Sequence, residues 1–266
     1  MEQEKNHGIF VFILVLFFLL FVGFLCYHKF YVEKKDDKKI VNLEDPKKEE
    51  DLIVDSHIYE LMGKAIGGKY EEGFINVMDN RYNYDFDTIG KKKVTQFDTD
   101  LLSSLVYDYA YNNHLLKQDK NVYALTEENA KKIYSTIFGP YLSYKRIKQS
   151  TMCPTLSFDS SKKVYTYRTD CKETTDITKY NKITSVDENK DTIIVRERMA
   201  YYSSGLLENN VFSTYLDAIN KKNSVGTIAE STEVQIENIK DFLSEYKYTF
   251  KKVEDTFYLY SVERIK

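Results

Sequence analysis

Tryptophan is absent from these 266 residues, and proline, cysteine and histidine are scarce, at three, three and four. Ten glycines are too few for a collagen-like repeat. None of them forms a Walker loop or a Gly-x-Gly-x-x-Gly turn, which removes the common phosphate-cradling loops. An excess of one charge is also lacking. Thirty-eight Lys plus Arg stand against 41 Asp plus Glu, so the net charge of -3 gives no reason to expect nucleic acid as a partner. Hydrophobic residues at 42% and charged ones at 30% exclude both a disordered chain and a polytopic membrane protein. The length admits one or two domains with a substantial core.

One long hydrophobic run is present. From Gly8 to Tyr27 no side chain is charged and nearly all are Ile, Leu, Val or Phe. Twenty helical residues at ~1.5 Å each span roughly 30 Å, the hydrocarbon thickness of a bilayer. The reading is a transmembrane helix over 8–27, with Ile9, Phe12, Leu16, Leu20 and Leu25 among its lipid-facing anchors and Tyr27 and Tyr31 at the interface. A cleaved signal peptide fits less well, because Glu2-Gln3-Glu4-Lys5 is not a basic start. Cys26 invites a lipoprotein reading, but Gly23-Phe24-Leu25 puts bulky residues where such cleavage sites use small ones. The bilayer is thus the first expected partner, and residues 1–7 form a short tail.

Orientation is contested by two arguments. Lys5 alone precedes the block, whereas Lys29, Lys34, Lys35, Lys38 and Lys39 follow it, which by the positive-inside rule places the C-terminal side in the cytoplasm. Large downstream domains can translocate regardless of flanking charge, and Cys153 and Cys171, which bracket an expected hairpin, suit an oxidising compartment. We read the domain as extracytoplasmic. The two cysteines are then candidates for a disulfide, with two unpaired thiols as the competing reading.

Residues 28–50 read as a charged linker. Fourteen of the 19 positions from 33 to 51 are charged, six Lys and eight acids, so the stretch can bury little apolar surface and has no basic excess for lipid headgroups. From 51 to 266 the chain is nearly neutral, with 30 basic and 32 acidic residues and no repeat, and one α+β domain is expected. Its first part, 51–139, reads as helical. Ile58, Leu61, Met62 and Ala65 recur at helical spacing before Gly67-Gly68, as do Leu101, Leu102, Leu105 and Val106, with Asp98 or Thr99 available as N-cap. Thr126 opens a third stripe of Ala130, Ile133, Tyr134 and Ile137, which Gly139-Pro140 end. From 140 to 266 the period becomes two. Hairpins are expected around Ser160-Ser161-Lys162, Asp187 to Lys190 and Val253-Glu254-Asp255, with a short helix over Val211, Tyr215, Leu216 and Ile219 between the second and third. Three helices followed by an antiparallel meander is the expected architecture.

Chemistry-bearing residues form no motif. His57 and Glu60 share a helix face, but no second His or Cys completes a metal site, so no cofactor is expected. Asp79 to Asp87 resembles a calcium loop until counted: from Asp85, Ile89 and Gln96 fall where two ligands belong. Ser203-Ser204-Gly205 lacks the glycines of a nucleophile elbow. His114 with Cys153 or Cys171, and Glu197 or Asp191 in a carboxylate pair, are the remaining catalytic combinations. The expectation is a non-enzymatic binding module. Its 23 Tyr and 16 Phe accompany abundant Lys, Asn and Ile, a bias of AT-rich codons, and are not read as stacking sites.

Tyr246 to Lys252 with Phe257 to Val262, and Leu156 to Asp159 with Val164 to Tyr167, resemble the hairpins of uncharacterised single-pass membrane-anchored proteins of AT-rich Firmicutes-like bacteria. That resemblance implies an extracytoplasmic domain with an unidentified envelope protein as partner, and transfers no active-site residue. The order of tail, membrane helix and domain is also similar to VirB8-like components of secretion and conjugation complexes, which would imply an NTF2-like domain. An enzyme or small-ligand binder using a sheet cleft is the third reading.

Overall fold

The computed structural model describes residues 52–76, 90–150, 154–170, 177–203, 209–228 and 236–266. The apolar block with Ile9, Phe12, Leu16, Leu20 and Leu25, the charged linker, and both Cys153 and Cys171 lie outside the described residues. Among those described, no helix is long and apolar enough to cross a membrane.

The three expected helices form where period and caps coincide. Helix α1, Ser56–Ile66, buries Ile58, Leu61, Met62 and Ala65. Gly67, left-handed at φ 73°, closes it, and the bonds Gly68 N–H to Gly63 O and Gly67 N–H to Lys64 O make a Schellman end. Helix α2, Thr99–Asn112, starts at Asp98, whose carboxylate accepts from the Leu101 N–H. Helix α3, Glu127–Phe138, is capped by Thr126 Oγ1 accepting from Asn129 N–H, and two acids in its first turn suit the positive end of the helix dipole. A fourth, short helix α4 spans Tyr215–Asn220.

Thirteen described strands pair into two antiparallel sheets. The larger contains, in spatial order, β1 (Gly73–Asn76), β8 (Ile177–Glu188), β9 (Thr192–Ser203), β12 (Ser244–Val253), β13 (Thr256–Arg264) and β2 (Gly90–Lys93). Strand β10 (Asn209–Phe212) extends it beside β9 and is followed outward by β11 (Gly226–Ile228). The smaller runs β3 (Lys117–Asp119), β4 (Val122–Thr126), β7 (Val164–Arg168), β6 (Thr155–Asp159) and β5 (Gln149–Ser150). The α+β class and all three expected hairpins are present. Asp159 Oδ1 accepts from Ser161 and Lys162 N–H in the first turn, and Asn189 Oδ1 from Asp191 and Thr192 N–H in the second.

Two expectations are corrected. Strands and helices interleave: β1 to β4 fall within 51–139, which was read as helical, and the later strands divide between two sheets rather than one meander. Val211, assigned to the short helix, lies in β10 paired with Tyr202, and the helix begins only at Tyr215, where Thr214 supplies the cap.

The main core joins α1–α3 to one face of each sheet. Ile183, Val195, Met199, Tyr248 and Phe250 come from the large sheet, and Leu125, Leu156 and Tyr167 from the small one. A second core covers the opposite face, where Tyr180, Ala200 and Tyr202 pack with Ile228, Ile236, Ile239 and Leu243. The start of β8, Lys179 to Asn181, and the end of β9, Met199 to Tyr202, are therefore buried on both faces, which sets the environment of every polar residue there.

Candidate functional site

Strand alternation places Lys179, Asn181 and Ile183 on one face of β8, and Glu197 and Met199 on the same face of β9, since Ile183 is registered with Glu197 and Asn181 with Met199. Glu197 is completely buried, Lys179 is 2% exposed and Asn181 1%. The Glu197 carboxylate accepts from Tyr70 Oη at 2.9 Å and from Tyr248 Oη at 2.8 Å. Burial pushes the Glu197 carboxyl up, opposed by the positive charge of Lys179 and the hydrogen bonds of the two tyrosines. Burial likewise pushes the Lys179 ammonium down, opposed by Glu197. The approach segment of β1 is stitched over this group. Asn181 Nδ2 donates to the Glu71 carbonyl at 2.9 Å, and Glu72 accepts from the Ile183 N–H at 2.6 Å and from Tyr59 Oη at 3.2 Å. An acid and a base thus lie buried within electrostatic reach of each other. The carboxylate ties β9 to Tyr70 and to Tyr248 of β12, and the group offers a substrate no approach.

A second constellation is open to solvent. Glu127, first residue of α3 and 5% exposed, receives Arg146 Nε at 2.8 Å, one Arg146 terminal nitrogen at 2.6 Å and Tyr144 Oη at 3.2 Å. Tyr144 Oη also hydrogen-bonds to Tyr165 Oη. The hydrogen bond from Arg146, more than any other partner, holds the Glu127 carboxyl below its ordinary value of 4.5. Burial raises the Tyr144 and Tyr165 hydroxyls, so both remain protonated at any physiological pH. Arg146 lies over the Phe158 ring, 4.7 Å from its centre, which holds the guanidinium in place.

This guanidinium forms part of the wall of a cleft of about 550 Å³ between the start of α2, Tyr134 of α3 and residues 145–149. Phe97, Leu102, Tyr134 and Ile147 supply its apolar lining, each 8% exposed or less. Lys145, Arg146 and Lys148 supply positive charge, and Asp98 is the acidic residue among them. A cleft of this size falls within the range of small-molecule sites. Tyr134 also carries a buried hydroxyl with no hydrogen-bond partner among the described residues.

Of the residues singled out in the sequence, Glu197 is in the closed interior cluster, while Asp191 sits in the β8–β9 turn, its carbonyl accepting from Lys252 N–H. His57 faces Glu188 at 3.4 Å rather than a metal partner. His114 follows the end of α2 in a left-handed conformation at φ 55°. The Asp79–Asp87 loop, Ser204 and Gly205 lie outside the described residues, as do the cysteines with which His114 was combined. Among the described residues no group of three or more His, Cys, Asp or Glu is placed to hold a metal. The Glu127–Arg146–Tyr144–Tyr165 set was not legible. Glu127 reads from the sequence only as a first-turn acid, and Tyr144 and Arg146 lie in a segment without period.

No family model matches the chain, and no curated protein or solved structure is significantly similar to it.

Proposed function

We propose that this chain is a single-pass, membrane-anchored protein whose extracytoplasmic α+β domain is a non-enzymatic binding module at the cell envelope. The observation that carries the reading is the uncharged apolar block over 8–27, followed by a charged linker and then a folded domain. The domain's own arrangement supports binding over turnover: its fully buried acid and base, Glu197 and Lys179, sit in a closed interior. The other buried carboxylate, Glu127, is already occupied by the half-exposed Arg146. The finer fold reading, an NTF2-like domain, belongs to the same proposal. Helices α1–α3 sharing a core with a large antiparallel sheet support it, and the five-stranded second sheet is then an addition to that plan.

The test is topological. Intact cells expressing the full chain are treated with a membrane-impermeant maleimide, with and without prior reduction. Labelling of Cys153 and Cys171 in intact cells, increased by reduction, is the expected result. Labelling only after permeabilisation would place the domain in the cytoplasm and remove the envelope reading together with the disulfide.

A further inference from the structure

We infer that the cleft between the start of α2 and residues 145–149 binds a small amphipathic organic anion, one carboxylate-type acid group on an apolar body. This deepens the binding-module reading and rests on it, because it supplies the class of ligand such a module would hold.

The charge of the cleft comes first. Three cations and one acid line it. Arg146 is committed to Glu127 at 2.6 Å, and Asp98 is committed to the first turn of α2 through the Leu101 N–H at 2.9 Å. Asp98 also offsets the positive end of the α2 dipole, so the helix start does not set the sign. What remains is Lys145 and Lys148, both exposed and neither in an ion pair among the described residues. The acid next outward, Asp100, already accepts from Ser150 Oγ at 2.6 Å. Two unspent ammonium groups beside a concave surface favour an anion. At the ~8 Å screening length of physiological salt, only an anion seated inside the cleft feels both of them strongly.

The lining then restricts the kind of anion. Phe97, Leu102, Tyr134 and Ile147 present aromatic and aliphatic surface that a fully hydrated ion such as inorganic phosphate would leave unused. An apolar body displaces water there while its acid group stays at the lysine rim. The volume of about 550 Å³ suits a small molecule.

The experiment uses the full chain in lipid nanodiscs with 13C-labelled Ile and Leu methyl groups, titrated with 3-phenylpropionate and, separately, with its uncharged amide. The expected result is saturable shifts of the Ile147 and Leu102 methyls with the carboxylate. The amide should bind roughly tenfold more weakly, and Lys145→Gln/Lys148→Gln should lower carboxylate affinity by a similar factor. Both lysines are exposed, so that variant keeps its fold, which an unchanged methyl spectrum without ligand verifies. Equal shifts from acid and amide, indifference to the double substitution, or no shift at either methyl would each overturn the inference. Failure of the parent reading looks different. A domain that labels only from the cytoplasmic side, yet still binds the carboxylate, keeps the site and loses the compartment.

Discussion

Lys179 and Glu197 show how burial turns a weak surface interaction into a strong constraint. An ion pair in water contributes little, but a charge stranded in the interior costs several kcal/mol. Glu197→Gln leaves Lys179 buried without its counter-charge and is expected to cost about 3 kcal/mol in urea unfolding. Lys179→Met should be costly alone, and the double variant should cost less than the sum by at least about 1 kcal/mol. Additive effects would show that the two groups do not sense each other. Glu127 makes a different prediction, in pH. Its carboxyl sits below 4.5 in the folded state, so it adds stability above its unfolded value and loses it as pH falls through the folded one. Glu127→Gln should therefore flatten the fall in melting temperature below about pH 5. An unchanged slope would assign acid sensitivity elsewhere. At Tyr134 the expected sign reverses: Tyr134→Phe removes a buried hydroxyl that has no partner among the described residues, and unfolding should become harder by roughly 1 kcal/mol.

At the scale of elements, the clearest single constraint is Gly139. It ends α3 at φ 52°, and a Cβ there would meet the Tyr258 ring of β13 at 2.6 Å. Backbone conformation and space both demand glycine. Gly139→Ala should cost roughly 2 kcal/mol and loosen the contact between α3 and β13, read as faster amide exchange in both elements. The three long helices were legible because what defines them is local: a 3.6-residue apolar stripe, with Asp98 or Thr126 capping the start of α2 and α3 and a glycine ending α1 and α3. Strand pairs joined by short turns were legible for the same reason. Hairpin β3–β4 was not, since Lys117–Asp119 is wholly exposed and has no apolar face to read. Nor could β8 be read as doubly buried, because the residues that cover its second face, Ile236 to Leu243, follow it by some fifty positions. That long-range cover buries Tyr180, while Lys179, on the other face, is buried with Glu197 toward the main core. In the sequence it is one lysine in an alternating strand.

For the molecule as a whole, the spatial order of the large sheet departs furthest from the order of the chain. Strands β12 and β13, the last two in sequence, stand between β9 and β2. A growing chain therefore has β9 without β12, and β2 without β13, until residues 244–264 have been made. Contacts this distant in sequence make folding slow and late. A chain ending after Leu243 should remain protease-sensitive throughout, with none of the protection of the full domain, even though every residue of α1–α3 is present. Among the described strands only β12 and β13 link β9 to β2, so this one hairpin is the fastener that closes the large sheet.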